Sequence, residues 1–326
     1  MLCIYNKSIN PYFNLASEEY VLKNFTEDCF MLWQNASSVI VGKHQNTLSE
    51  INPEFVKKNN IAVVRRLSGG GAVFHDLGNL NFTFITNAGE NKKIDFIKFT
   101  SPIIEVLQKL SIEAYFSGRN DILIDGKKIS GNAEHLYKNK VLHHGTLLFS
   151  SVISDISQAL NVNNNKYIDK SVKSVSSRVT NICEHLKKPL SINEFIEMIF
   201  SHINNNHKEC RNYDFNKNDI QKINELVEKK YSTFDWNYGY SPKYNFSKSI
   251  HTQGGNLDFF INVDKGIITN IKIFGDFFNK HDITELEKLL TDIPHNEDII
   301  SKKIENIDFS DYFVNISKEE FVKGMF

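Results

Sequence analysis

The sequence predicts an α+β protein of 326 residues, with a large strand-rich unit over residues 1–244 and a smaller accessory unit over 245–326. Three observations predict it. Strand and helix signals alternate through the first half without the strict regularity of βαβ units. The middle of the chain turns polar and then helical. After Tyr238-Gly239-Tyr240-Ser241-Pro242 the strand pattern begins again.

Taken in order, Phe13 to Phe25 groups Leu15, Tyr20, Val21 and Leu22 on one helix face, and Phe30 to Trp33 and Ser38 to Val41 read as strands. Pro53 opens a helix to Asn60, where its missing donor has no intrahelical role. Ile61 to Arg66 is a strand that runs into Ser68-Gly69-Gly70-Gly71. Ala72 to His75 and Leu80 to Thr86 read as a hairpin turning at Asp76 to Asn79. Ile94 to Leu110 is helical, with Pro102 as a point of kinking or restart, and Ile112 to Phe116 is a strand. Ile122 to Ile124 and Ile129 flank a second turn at Asp125 to Lys128, and Val141 to Phe149 closes this half. Asn161 to Asn165 is loop. Ser191 to His202 is a helix with Ser191 and Glu194 in a capping box, and Asp219 to Lys230 is another. Leu257 to Val263 and Ile267 to Phe274 form a hairpin around Asp264-Lys265-Gly266, followed by a helix from Asp282 to Leu290.

Composition excludes several classes. With 38 basic and 39 acidic residues the net charge is −1, so no bulk attraction to nucleic acid or membrane is expected. No apolar stretch approaches the roughly 20 residues of a membrane span, and Met1 to Lys7 lacks the basic segment and apolar run of a secretory leader. Cys3, Cys29, Cys183 and Cys210 form no Cys-x-x-Cys pair, which suggests four reduced thiols in a cytoplasmic protein. A monomer is the expected state.

Three segments carry chemistry. In Arg65 to Asp76, three consecutive glycines between strands mark tight turning or close backbone approach, and bare N–H groups can receive phosphate oxygens beside the fork of Arg66. A plain glycine hairpin with a solvated Arg pair is the competing reading, and the spacing is neither a P-loop nor a dinucleotide fingerprint. Gly118 to Asp121 and Gly126 to Ala133 follow, where strand alternation turns only one of Lys127 and Lys128 inward, and Asp121 could hold a divalent ion. The third is His143 to Leu148. Adjacent histidines on a strand face opposite ways and no third ligand follows, so packed or hydrogen-bonded histidines are expected, without zinc.

These segments, with the Asn79 to Phe84 continuation and Ser174 to Asn181, occur in an order that closely resembles the lipoate–protein ligase family. The likeness is strong over roughly the first 180 residues and weaker beyond, through length and Trp236 to Gly239. Leu67 and His44 occupy variable places of their motifs. The resemblance implies a mixed central β-sheet flanked by helices, related to biotin protein ligases and class II aminoacyl-tRNA synthetases, and then a small α/β accessory domain.

It also implies substrates and roles. ATP with Mg²⁺, and lipoate or octanoate, would be bound. Arg66, the backbone of Gly71, Ala72, Val73 and Phe74, and Asn120, Asp121 and Arg178 would hold ATP or the adenylate, with Asp121 reaching magnesium. Ser68, Gly70, His75, Ala133, His144, Gly145 and Thr146 would line the lipoate site. Lys128 matches the central catalytic lysine that touches both substrates, Lys127 its variable neighbour, and Lys166 to Thr180 the loop that closes over the adenylate. Partners would be lipoyl-domain acceptors: a glycine-cleavage H protein or acyltransferase subunits of 2-oxoacid dehydrogenases.

Bringing a carboxylate to the α-phosphorus joins two anions, and a fixed ammonium, charged at neutral pH, offsets that repulsion. Lys128 is placed in this role. Trp33, Val41 and Phe74 are candidates for an apolar slot, with core packing the preferred reading for Trp33 and Val41. The nearest rival is an ATP-independent lipoyl or octanoyl transferase using a cysteine such as Cys183. Biotin ligation is disfavoured by the form of the glycine turn. A non-catalytic lipoyl-domain binder is disfavoured by the retention of Arg66 and Lys128.

Overall fold

A computed structural model describes residues 1–88, 95–117, 120–160, 167–168, 179–206, 210–275 and 282–326. Gly118, Arg119, Arg178, the loop Asn161 to Asn165 and most of the Lys166 to Thr180 stretch lie outside the described residues.

The first half supplies ten strands: β1 (Leu2–Asn6), β2 (Cys29–Trp33), β3 (Ser38–Val41), β4 (Ala62–Arg65), β5 (Val73–His75), β6 (Asn79–Asn87), β7 (Ala114–Ser117), β8 (Asp121–Ile124), β9 (Lys127–Tyr137) and β10 (Lys140–Leu148). The second half adds β11 (Tyr167–Ile168), β12 (Arg211–Asn212), β13 (Tyr244–Thr252), β14 (Gly255–Asp264) and β15 (Ile267–Gly275). Eight strands form a mixed sheet in the order β12-β1-β2-β6-β10-β9-β8-β7, parallel at β12-β1-β2 and antiparallel beyond. A small separate sheet has the order β4-β3-β5, and a third, β11-β13-β14-β15, is built mainly by the C-terminal strands with β11 at its edge.

Each face of the large sheet carries a packed core. On one, Phe99, Ile103 and Leu107 of helix Phe96–Lys109 and Phe195, Ile199 and Ile203 of helix Ile192–Asn206 meet Phe30, Phe82, Ile122 and Ile129. On the other, helix Pro11–Asn24 buries Leu15, Val21 and Leu22 against Met31, Trp33 and Leu142. Each of these aliphatic or aromatic side chains contributes about 1.5–3 kcal/mol by leaving water. The C-terminal sheet alternates: Leu257, Phe259, Ile261 and Val263 face three short helices, while Phe260 between them is exposed. Among the described residues no helix is long and apolar enough to cross a membrane.

Local signals explain most ends. Asn10 caps the first long helix, and Ser191 and Glu194 exchange hydrogen bonds as a capping box. Asp125-Gly126 and Lys265-Gly266 both adopt positive φ, which closes two-residue hairpin turns. Helix Phe96–Lys109 continues without a restart past Pro102, with the Thr100 and Ser101 hydroxyls donating to the Phe96 and Ile97 carbonyls at 2.8 and 2.7 Å.

Three expectations are corrected. The stretch over 72–86 is not a hairpin: β5 pairs with β3, and β6 pairs with β2 and β10 in the other sheet. The turn instead passes between sheets, with Asp76 accepting from the Gly78 and Val152 N–H groups. Helix Lys217–Leu226 starts earlier than expected, on an Asn216–Asp219 capping box, and its continuation widens to a π-turn over Val227–Tyr231. The four reduced thiols become two, because β12 runs beside β1 and joins Cys210 to Cys3, their Cα atoms 6.6 Å apart.

Candidate active site

Sheet alternation and one irregularity create the site. In β8–β9 the register sums shift between Ile122↔Ser130 and Leu123↔Lys128, leaving Ile129 as a bulge. A bulge inverts which side chains face which way beyond it. Ile129 therefore joins Ser130 on the core side, and Lys128 joins Gly131 and Ala133 on the other. Lys127, one residue earlier, is exposed. Gly131 matters here: a Cβ on it would crowd the Lys128 Nζ at 3.0 Å. Asp121 stands directly opposite Gly131, and its Oδ1 lies 2.9 Å from Lys128 Nζ as an ion pair without hydrogen-bond alignment.

These residues border a cavity of about 490 Å³, in the range of small-molecule sites. Its polar wall is Asn120, Asp121, Lys128, Asn132 and Thr146. Its apolar wall is Leu15, Trp33, Ile40, Ala72 and Val73. Gly145 is required by close packing, since a Cβ would strike Asn132 and Phe82. Asn120 and Asn132 bond reciprocally through side chain and backbone, at 2.6 and 3.1 Å, which ties β8 to β9 at the rim.

The glycine loop arches over this cavity. Gly70 has φ +90°, and a Cβ at Gly42 would strike the Gly70 carbonyl, so both positions need glycine. Arg66 holds the arch from below. Its Nε donates to Ser68 Oγ at 3.0 Å, Nη1 to the Ile40 carbonyl at 3.1 Å, and Nη2 to the Gly69 and Gly71 carbonyls at 2.6 and 2.8 Å. Of the roughly five N–H donors of a guanidinium, little is left free, so Arg66 shapes the loop as well as charging it. Burial lowers its pKa to about 10, against which Glu18 acts, and it stays cationic. Arg65 points the other way and is fully buried. It clamps the Gly42, Lys43 and Gln45 carbonyls to those of Trp236 and Asn237, which makes it the anchor between two distant segments.

The two histidines of β10 separate as strand geometry requires. His143 enters the core, held by Glu134 at 3.0 Å and stacked on Phe99. His144 turns to the cavity side, with Nδ1 3.0 Å from Glu18 Oε1 and Nε2 2.6 Å from Ser68 Oγ. Glu18 in turn accepts from Thr83 Oγ1 at 2.6 Å, and Thr83 from Trp33 Nε1 at 3.0 Å. A continuous buried network thus runs from Arg66 to the indole of Trp33. His75 borders the same cavity, and burial, with Arg66 and His144 nearby, lowers its pKa to about 3.

Of the residues singled out in the sequence, the structure brings Arg66, Gly70, Gly71, Ala72, Val73, His75, Asn120, Asp121, Lys128, Ala133, His144, Gly145 and Thr146 to one cavity. Ser68 sits behind it, buried between Arg66 and His144. Phe74 and Val41 do not border it. They point into the core shared with the C-terminal unit, and their strand neighbours Val73 and Ile40 take the cavity side. Trp33, assigned to core packing from sequence, does line it. Arg178 lies outside the described residues. Glu18, Asn35 and Ile40 were not singled out. Only the run Ser17-Glu18-Glu19 inside an otherwise packed helix could have drawn attention to the first.

Comparison with known proteins points to one family. The family description "Lipoyl protein ligase A/B catalytic domain" matches residues 10–204, and "Bacterial lipoate protein ligase C-terminus" matches 241–325. Lipoate-protein ligase LplJ of Bacillus subtilis is 43% identical, covering 99% of each chain. Lipoate–protein ligase 1 of Staphylococcus aureus is 43% identical, covering 98% of each. Among solved structures, Plasmodium falciparum LipL1 in complex with lipoate superposes with a TM-score of 0.61 at 30% identity, over 99% of this chain and 97% of that one. A lipoate-protein ligase A bound with ATP gives 0.63 at 26% identity, over 73% of this chain and 98% of its own. A bipartite ligase of Thermoplasma acidophilum, described together with its E2 lipoyl domain, gives 0.62 at 26%, over 73% and 96%. With both units matched and full-length relatives at this identity, the chain belongs to the lipoate–protein ligase family.

Proposed function

We propose that the cavity under the glycine loop is where this ligase joins lipoate to AMP and then passes the lipoyl group to a lysine of an acceptor lipoyl domain. A lipoate oxygen attacks the α-phosphorus of ATP, the bond to the bridging oxygen breaks, and pyrophosphate leaves. The acceptor amine, in its neutral form, then attacks the acyl carbon and expels AMP. The observation that carries this reading is Lys128, which the bulge turns into a cavity that also holds Arg66. Its ammonium would lie between carboxylate and α-phosphate and offset their repulsion. The apolar wall of Leu15, Trp33, Ile40 and Val73 suits a saturated acyl chain.

Asp121 is the one acidic side chain among the described residues lining the cavity, and a carboxylate oxygen suits magnesium. No cluster of three or more acidic, His or Cys groups for a metal occurs among the described residues, so the ion would share phosphate oxygens of ATP. When bound it offsets charge on the departing pyrophosphate. The ATP-independent alternative needs an acylated cysteine. Cys183 is not among the cavity-lining residues, and burial, with Glu184 beside it, pushes its thiol up, away from thiolate.

The division into a catalytic unit over 1–244 and an accessory unit over 245–326 is supported by β13, β14 and β15, which from Tyr244 onward form a sheet of their own that the earlier chain joins through the two-residue β11. The decisive experiment is lipoate-dependent exchange of labelled pyrophosphate into ATP by the purified protein. Exchange is expected with lipoate or octanoate, and silence with both overturns the reading. Offering an H protein and an acyltransferase lipoyl domain in turn then identifies the acceptor.

A further inference from the structure

The large sheet opens beside Lys128, and a segment from later in the chain fills the opening. β9 and β10 pair from Tyr137↔Lys140 to Asn132↔Gly145 and no further. Continued, that register would set Lys128 opposite Phe149. At the point of separation the Thr146 hydroxyl oxygen, in place of a backbone carbonyl, accepts from the Gly131 N–H at 3.1 Å. Two strand edges then face each other, and residues 179–183 stand between them. Val179 bridges to Lys128 in the parallel sense, and the Thr180 N–H donates to the Lys128 carbonyl at 3.1 Å. On the other side the Cys183 N–H donates to the Phe149 carbonyl at 3.0 Å. The segment gives each edge a bond that the two strands no longer give each other.

One side chain fixes this wedge. Asn181 Oδ1 accepts from the Ser151 N–H at 2.8 Å, and its Nδ2 donates to the Ser151 carbonyl at 3.0 Å, so the amide pairs with Ser151 as another peptide would. Glu184 Oε1 accepts from the same Nδ2 at 3.2 Å, and Glu184 Oε2 accepts from the Thr180 hydroxyl at 3.1 Å. Thr180 and Asn181 are both buried. Ser151 is itself held at the turn after β5, because the Ser150 N–H donates to the Gly78 carbonyl at 2.9 Å and the Val152 N–H to Asp76 Oδ2 at 2.8 Å. A chain of short contacts therefore runs from the Asp76–Gly78 turn through Ser151, Asn181 and Thr180 to the backbone of Lys128. It joins two sheets: β5, which leaves the glycine loop, lies in the small one, and Lys128 lies in the large one.

We propose that Asn181 is a positioning residue for Lys128: it locks residues 179–183 between β9 and β10 and so fixes where the lysine stands relative to the glycine loop. The inference rests on Lys128 acting between carboxylate and α-phosphate in that cavity. The backbone of Lys128 needs such a support. On the β8 side its ladder is interrupted by the bulge at Ile129, and on the β10 side pairing has already ended. Asp121 holds the ammonium and not the strand. A group that must lie between two reacting anions tolerates little movement, since a misplacement of about 1 Å costs up to about 10²-fold in rate. Neither Thr180 nor Asn181 is among the cavity-lining residues, so their effect passes through Lys128 and not through contact with substrate.

The test uses full-length protein and steady-state pyrophosphate exchange with lipoate. Asn181→Ala should lower kcat by about 10–10²-fold and leave KM for lipoate and for ATP within about twofold. In a Lys128→Ala background the same substitution should cost less than about twofold, because the two changes share one effect. Thr180→Val keeps the shape but loses the bond to Glu184, and it should lower kcat in the same direction. Thr180→Ser, which retains the hydroxyl, should restore it. An Asn181→Ala kcat equal to the parent's, a loss carried by KM, or the same loss with and without Lys128 each overturns the proposal. Should Asn181→Ala misfold, the Thr180 pair decides: a loss that serine recovers supports the proposal, and parental kcat in Thr180→Val overturns it. If the parent catalyses no exchange with lipoate or octanoate, the adenylate-forming reading fails and takes this inference with it.

Discussion

Two hairpins of this molecule share one backbone device and use it for opposite ends. β8–β9 turns at Asp125-Gly126 and β14–β15 at Lys265-Gly266, each with both turn residues at positive φ. Both carry a bulge three residues past the turn glycine, at Ile129 in one and at Thr269 in the other. In the accessory hairpin the inversion keeps Ile268 on the same buried face as Ile271 and Ile273. In the catalytic hairpin the equivalent position is Lys128, on the face of Gly131 and Ala133, and that face borders a cavity. The bulge does not make a site. It selects a residue for the concave side, and what fills that side, core or cavity, decides whether an isoleucine or a lysine belongs there.

The largest expected effect breaks the pair at its functional member. Lys128→Ala should lower pyrophosphate exchange by about 10²–10³-fold, as for loss of one transition-state donor, while thermal unfolding changes little because the Lys128–Asp121 pair is partly exposed. Lys127→Ala, on the other face, should stay within about twofold. Equal losses in the two variants would falsify the bulge assignment. Ile268→Ala inverts the pattern. It should cost about 2–5 kcal/mol of stability in denaturant titrations as a cavity in a packed core, with lipoate and ATP affinities retained in the folded fraction. A smaller test sharpens the catalytic hairpin itself. Asp121→Asn keeps shape but removes the charge beside Lys128, and exchange should fall about tenfold with more magnesium needed for half-maximal rate. An unchanged magnesium requirement would remove Asp121 from the metal's coordination.

Much of this was legible in the sequence, and the losses follow a pattern. Strands rich in branched residues, such as Ser38–Val41, and turns such as Lys265-Gly266 declare themselves locally. The glycine run and Lys128 stood out by residue type and order. What stayed hidden depends on partners far along the chain. The turn at Asp76 signals a reversal but not that β5 and β6 enter different sheets. Glu18 finds His144 at a separation of 126 residues, and no local pattern marks it. The bulge at Ile129 has no glycine or proline to announce it, so alternation alone shows that one lysine turns inward without naming which. Phe74 was misplaced by one residue of strand parity, the smallest shift that exchanges core for cavity, whereas Val41 packs in the core as its preferred reading had it.

The same contrast between a filled and an open partner set separates two buried histidines. His295 has both nitrogens engaged, Nδ1 with Tyr244 OH and Nε2 with the Met325 carbonyl, each at 2.7 Å, and its ring stacks on Phe326. It closes the C-terminal unit and leaves nothing for a ligand, whereas His75 leaves Nε2. Burial lowers the His295 pKa to about 4, only partly opposed by the Met325 carbonyl. A histidine whose folded pKa is depressed below its unfolded value near 6.5 binds its proton more readily when unfolded. Its neutral form therefore supports the fold above about pH 6.5, and that support is lost as pH falls toward the folded value of about 4. One pH unit into this window the loss is about 1 kcal/mol. His295→Gln, which can still donate to Met325, should flatten the slope of unfolding free energy against pH by up to about one proton between these limits. The slope that remains then contains the contribution of His75, which titrates in the same sense, and His75→Leu in that background should flatten it further. A His295→Gln profile parallel to the parent's would show that the C-terminal closure does not take up a proton on opening.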